Sequence, residues 1–123
     1  MTDDTQAGSP ETGGTATSST AQVPTTSGSK YMQQLCKHWS HNLEVVFDAG
    51  KGVVQFPRDA RGAEWPDKAV VTMIAHPDTL ECRIDASVPP QLAHMKGVLA
   101  RHLDRFAFRE APLPFTWEDA VSG

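Results

Sequence analysis

Cysteine is scarce in this chain: Cys36 and Cys82 are the only two in 123 residues. They do not form a Cys-x-x-Cys pair, and the chain has no Gly-rich phosphate loop, nucleophile elbow or zincin helix. Several common enzyme classes fall with those absences. No apolar run approaches membrane-spanning length, so no membrane insertion is expected. The N-terminus lacks the basic start and apolar centre of a signal peptide, and it is too acidic for a transit peptide. A soluble, cytoplasmic product with two reduced thiols is the expectation.

Met1–Gly28 has no aromatic residue, no Leu or Ile, and no Lys or Arg. It is built almost entirely from Thr, Ser, Gly, Ala, Pro and Gln with three acids, Asp3, Asp4 and Glu11. Such a stretch buries too little apolar surface to offset its backbone entropy, so residues 1–28 are expected to be a disordered tail. Residues 29–119 then form a single domain, with 120–123 as a short C-terminal tail. Without the tail, twelve acids face eleven Lys plus Arg. A near-neutral domain argues against nucleic acid as partner.

What is present is periodicity. Ser27 or Ser29 can cap a helix over Lys30–His41, in which Tyr31, Met32, Leu35, Cys36 and Trp39 share an arc of roughly 140°. Short strands follow at Glu44–Asp48 and Gly52–Pro57, joined at Gly50, where a positive φ would suit a tight hairpin. Residues 58–67 carry Pro, Gly and charges and form a loop. Lys68–His76 is Val-, Thr- and Ile-rich, Pro77-Asp78 is a turn, and Thr79–Ser87 alternates Leu80, Cys82 and Ile84 with Glu81, Arg83 and Asp85. Pro89-Pro90 opens a second helix with the stripe Leu92, Met95, Leu99, Leu103 and Phe106, weakened by Gly97. Leu113–Glu118 can add an edge strand. The predicted fold is α+β: a two-layer sandwich in the order α-β-β-β-β-α-β, an antiparallel sheet of four to five strands with two helices on one face.

The first helix also concentrates reactive side chains. His38 and His41, three apart, project about 60° from each other on a helix and could share an ion. Cys36 lies about 160° from His38, so a regular helix sends it to the core instead. A third metal ligand could come from His102 on the second helix, and Glu110 could add an oxygen. The cations Lys37, Arg101, Arg105 and Arg109 lie nearby, and guanidinium forks suit a carboxylate or phosphate. Of these, Lys37, Arg105 and Arg109 are the candidate ligand-binding residues, and His38, His41 and His102 the candidate metal ligands. No catalytic residue is assigned. Trp39, Trp65 and Trp117 fit core or rim roles, with Trp65 of interest if it is exposed.

The segments Tyr31-Met32-Gln33-Gln34-Leu35-Cys36-Lys37-His38-Trp39-Ser40-His41 and His102-Leu103-Asp104-Arg105-Phe106-Ala107-Phe108-Arg109-Glu110 resemble a small bacterial family catalogued as domain of unknown function 2218. The resemblance spans Ser29–Glu118, including the Gly52–Pro57 strand. Residues 58–68 are least typical, and the Thr/Ser-rich tail is extra. It implies a bacterial α+β domain without an established activity, in a context of iron or siderophore uptake. It also draws attention to His38, His41 and His102, which match the family motifs. Three functions are then open. One is binding of a metal ion or anionic metal complex in a groove between the helices. Another is a non-catalytic interaction module or homodimer. The last is a small enzyme using histidine as acid or base.

Overall fold

In the computed structural model, which describes residues 17–59 and 64–121, the alternating segments become the middle of one antiparallel sheet. The strands are β1 (Thr17–Pro24), β2 (Glu44–Phe47), β3 (Lys51–Phe56), β4 (Ala69–Ala75), β5 (Thr79–Ala86) and β6 (Trp117–Val121). The helices are α1 (Gly28–Trp39) and α2 (Pro89–Phe106). Among the described residues, six strands run in the order β2-β3-β4-β5-β1-β6. Every neighbouring pair is antiparallel. Both helices pack on one face of the sheet and against each other. The two-layer α+β sandwich is the one the periodicity indicates, with one strand more than expected.

That extra strand corrects the tail. Thr17–Pro24 is ordered as β1, between β5 and β6, so the disordered stretch cannot run to residue 28. Residues 1–16 of that stretch lie outside the described residues. The physical reason is that β1 has small inward side chains rather than large apolar ones. Thr17, Ser19, Ala21 and Val23 are all buried, alternating with more exposed neighbours. Its order comes chiefly from backbone pairing on both edges, and its buried hydroxyls are satisfied. Ser19 Oγ donates to Asp119 Oδ1 at 2.5 Å, and Thr17 Oγ1 to the Ala120 carbonyl at 3.4 Å.

β6 begins later than expected because Leu113 is drawn into the core instead, its N–H donating to Asp104 Oδ1 at 3.0 Å. β6 pairs with β1 through Ala21↔Trp117 to Thr17↔Val121, so residues 120 and 121 belong to the sheet rather than to a tail. Residues 122–123 lie outside the described residues. At the β2–β3 hairpin Gly50 is not left-handed. The Asp48 carboxylate closes that turn by accepting the N–H groups of Gly50 (2.8 Å) and Lys51 (3.0 Å).

The helix faces explain the core. Met32, Leu35 and Cys36 of α1 and Leu99 and Leu103 of α2 are fully buried over Val54, Val71, Met73, Leu80, Cys82 and Ile84. Full burial of each large aliphatic side chain is worth about 1.5–3 kcal/mol. α1 sits close enough to β3 that a Cβ on Gly52 would stand 2.7 Å from the Cys36 sulfur. Glycine at 52 is what permits that approach.

Candidate functional site

α1 ends at Trp39, where the Ser40 N–H donates to the Cys36 carbonyl at 2.9 Å and Ser40 Oγ to that of Lys37 at 2.7 Å. Beyond it, the N–H groups of Asn42 and Leu43 both reach back to the Trp39 carbonyl. The tight turn opens a groove beside the helix end. Its volume is about 330 Å³, and α1, α2, the end of β3 and the loop before β4 line it.

One wall is Trp39, Phe56 and His102. The Trp39 ring meets Phe56 edge-on at 4.9 Å and lies 5.3 Å from the His102 ring, tilted by 48°. His38 extends this wall, 6.1 Å from His102 and 6.0 Å from Phe106. A second wall is Trp65 with His94, ring centroids 5.9 Å apart. Gln91, Met95, Val98 and Arg101 of α2, with Asn42, Leu43 and Pro57, complete the lining. Among the described residues the lining holds no carboxylate, and Arg101 is its permanent cation.

The loop carrying Trp65 is anchored rather than loosely draped. The Trp65 N–H donates to the Arg58 carbonyl at 2.8 Å, and Arg58 Nε returns a bond to the Trp65 carbonyl at 3.1 Å. Gln91, 1% exposed, donates from Nε2 to the Asp67 carbonyl at 2.9 Å. Its Oε1 accepts the Ser87 N–H at 2.7 Å and the Ser87 hydroxyl at 2.5 Å. A buried amide satisfied at both ends therefore ties the loop to the start of α2. Residues 60–63 of this loop lie outside the described residues.

Of the predicted metal ligands, the structure brings His38 and His102 together and leaves His41 out. His41 stands in the turn after α1, so the helical spacing that paired it with His38 does not apply. His102 Nδ1 lies 2.7 Å from the Val98 carbonyl, which makes Nδ1 the donor of that bond. Among the described residues no three His, Cys, Asp or Glu side chains converge in a way that could hold an ion. Glu110 is engaged elsewhere: its carboxylate accepts the Tyr31 hydroxyl and, at 3.1 Å, that of Thr25. Tyr31 precedes His38 by seven residues, about 10 Å along α1. The bond to Glu110 raises the Tyr31 pKa first, with burial second.

None of the three predicted ligand-binding cations lines the groove; Arg101 does. Lys37 and Arg105 are exposed, and Arg109 lies past the end of α2 with its guanidinium 5.7 Å from the Phe108 ring centre. Gln91, His94 and Phe56 were not singled out as site residues. Gln91, His94, Val98, Arg101 and His102 do recur at three- to four-residue spacing beside the apolar stripe of α2, a second helical period that marks them. The thiols take no part. Burial pushes Cys36 up to about 11 and Cys82 up to about 12, so both stay protonated.

Residues 20–118 match the family model described as "Uncharacterized protein conserved in bacteria (DUF2218)". The chain belongs to this family. A member of the family is thus seen here as an α+β sandwich, and its matched region includes β1 from Thr20 onward. The chain is also similar to the NMR structure of PA4090 from Pseudomonas aeruginosa, with 32% identity and a TM-score of 0.64. That similarity covers 82% of this chain and 94% of the other. Among curated proteins, none matches. No helix among the described residues is long and apolar enough to cross a membrane.

Proposed function

We propose that this family member is a non-catalytic binding module that holds a small anionic ligand in the α1–α2 groove. The observation that carries the reading is the lining: aromatic and imidazole rings on two walls, one guanidinium, and no carboxylate among the described residues. Concave, largely apolar sites with a few directed polar groups are the usual form of small-molecule sites. The reading that a bare ion binds loses support, because His38 and His102 offer two nitrogens where a resident ion needs three or four ligands. An anionic metal complex, the iron or siderophore reading, keeps its place because such an ion arrives with its own oxygens. His102 turns its Nδ1 to a backbone carbonyl rather than to a carboxylate, which favours binding over acid–base chemistry.

The test is thermal stabilisation and native mass spectrometry with ferric citrate, comparing wild type with His38→Ala, His102→Ala and Arg101→Gln. Ligand-dependent stabilisation that the variants lose supports the reading. Its absence for every anionic probe, organic ones included, ends it.

A second reading, a homodimer through the open sheet face, rests on Val46, 78% exposed on edge strand β2 beside Val53 of β3. Sedimentation of wild type against Val46→Lys tests it: a monomer at all concentrations removes that reading.

A further inference from the structure

Gly97 stands in the interior of α2, where glycine weakens a helix relative to alanine. No turn or positive φ calls for it. A Cβ at this position would meet neither the sheet nor α1 within 4 Å. A Cβ here would lie 2.9 Å from Arg101 Nη1 and 3.9 Å from Arg101 Cζ. Arg101 is one turn further on, and helical side chains lean toward the N-terminus. Its guanidinium therefore folds back into the space that glycine leaves vacant. There it lines the groove, with no hydrogen-bond or ion-pair partner among the described residues.

We propose that Gly97 seats the Arg101 fork, and that the groove takes an aromatic carboxylate whose ring lies between Trp39 and Trp65. This rests on the anion-binding reading above and names its ligand class. The fork matches the two oxygens of one carboxylate bidentately. The described lining carries a single permanent cation, which balances a monoanion rather than a phosphate dianion. The ring walls favour edge-to-face or offset contact with a planar ligand over a branched aliphatic one. A groove of about 330 Å³ is near the lower end for small-molecule sites and limits the ligand to one or two rings.

The experiment is an NMR titration that follows the indole N–H signals of Trp39 and Trp65 with benzoate, benzamide and cyclohexanecarboxylate. Benzoate is expected to shift both signals, with benzamide and cyclohexanecarboxylate binding about tenfold more weakly, the loss set by a charge-assisted fork or a ring contact. Arg101→Gln is expected to bring benzoate down to the level of benzamide. Gly97→Ala is the sharper test, because the atom it displaces is the free end of a flexible side chain. It should weaken benzoate several-fold without weakening benzamide, while the melting temperature rises by about 4–8 °C. Equal affinities for benzoate and benzamide overturn the proposal, as does Gly97→Ala with unchanged benzoate affinity. Stabilisation by ferric citrate without benzoate binding overturns the ligand class and leaves the anion-binding reading standing. Failure of both probes ends both.

Discussion

The two sides of α1 pack in opposite ways. Toward β3 the helix is pressed so close that a single methyl on Gly52 would collide with the Cys36 sulfur. Toward α2 and the Trp65 loop, a groove of about 330 Å³ remains beside the same helix. Cys36 and His38 are two residues apart, yet one is sealed and the other exposed. Tight contact with a sheet makes a nucleophile inert, whereas a helix that stops early, with a tied loop opposite, leaves imidazoles accessible. Reactive residue types in one segment therefore need not make one site.

The largest effect expected of this contrast is chemical. At pH 8 the native thiols should alkylate roughly a hundredfold or more slowly than in urea, because their pKa values are raised well above that of a free thiol. Rapid native labelling of Cys36 with iodoacetamide would break the comparison. The same shift fixes the sign of the alkaline limb. The thiols' contribution to stability is intact below the unfolded pKa, near 9, and is lost as pH rises toward 11 for Cys36 and toward 12 for Cys82.

Next in size is Gly52→Ala, expected to cost about 1–3 kcal/mol in urea denaturation through overpacking against Cys36. Combining it with Cys36→Ala should recover part of that loss, since the colliding atom is gone. Independent, additive effects would show that the close approach is not what limits residue 52.

The smallest is Gln91→Ala on the open side. It should cost about 1–2 kcal/mol by leaving the Asp67 carbonyl and the Ser87 N–H without partners. It should also change Trp65 fluorescence, because the groove's second wall loses its tie to α2. An unchanged Trp65 signal would mean that the Arg58–Trp65 bonds hold the loop unaided.

Much of this protein was legible from periodicity. The 3.6-residue stripes of α1 and α2 and the alternation of Thr79–Ser87 state which faces are apolar, and that is enough to stack two helices on an antiparallel sheet. The angular separation of Cys36 from His38 also follows from helix geometry, and both the buried thiol and the His38–His102 meeting agree with it. β1 escaped because a Thr/Ser/Ala strand has almost no hydrophobic signal. What orders it is pairing with β5 and β6, which are more than fifty residues away in the chain. His41 was misplaced because spacing does not reveal where a helix stops, and here Ser40 and the bonds to the Trp39 carbonyl decide it.

The chain by itself determined its layers, its buried thiols and the presence of two histidines able to meet, since these depend on local periodicity and on burial that periodicity implies. Only the tertiary structure decided that Arg101 rather than Arg105 or Arg109 lines the groove, and that Trp65 lines it too. Those outcomes depend on where a loop is tied by a buried glutamine and on the space left by a missing Cβ. They are long-range facts of packing that no local pattern encodes.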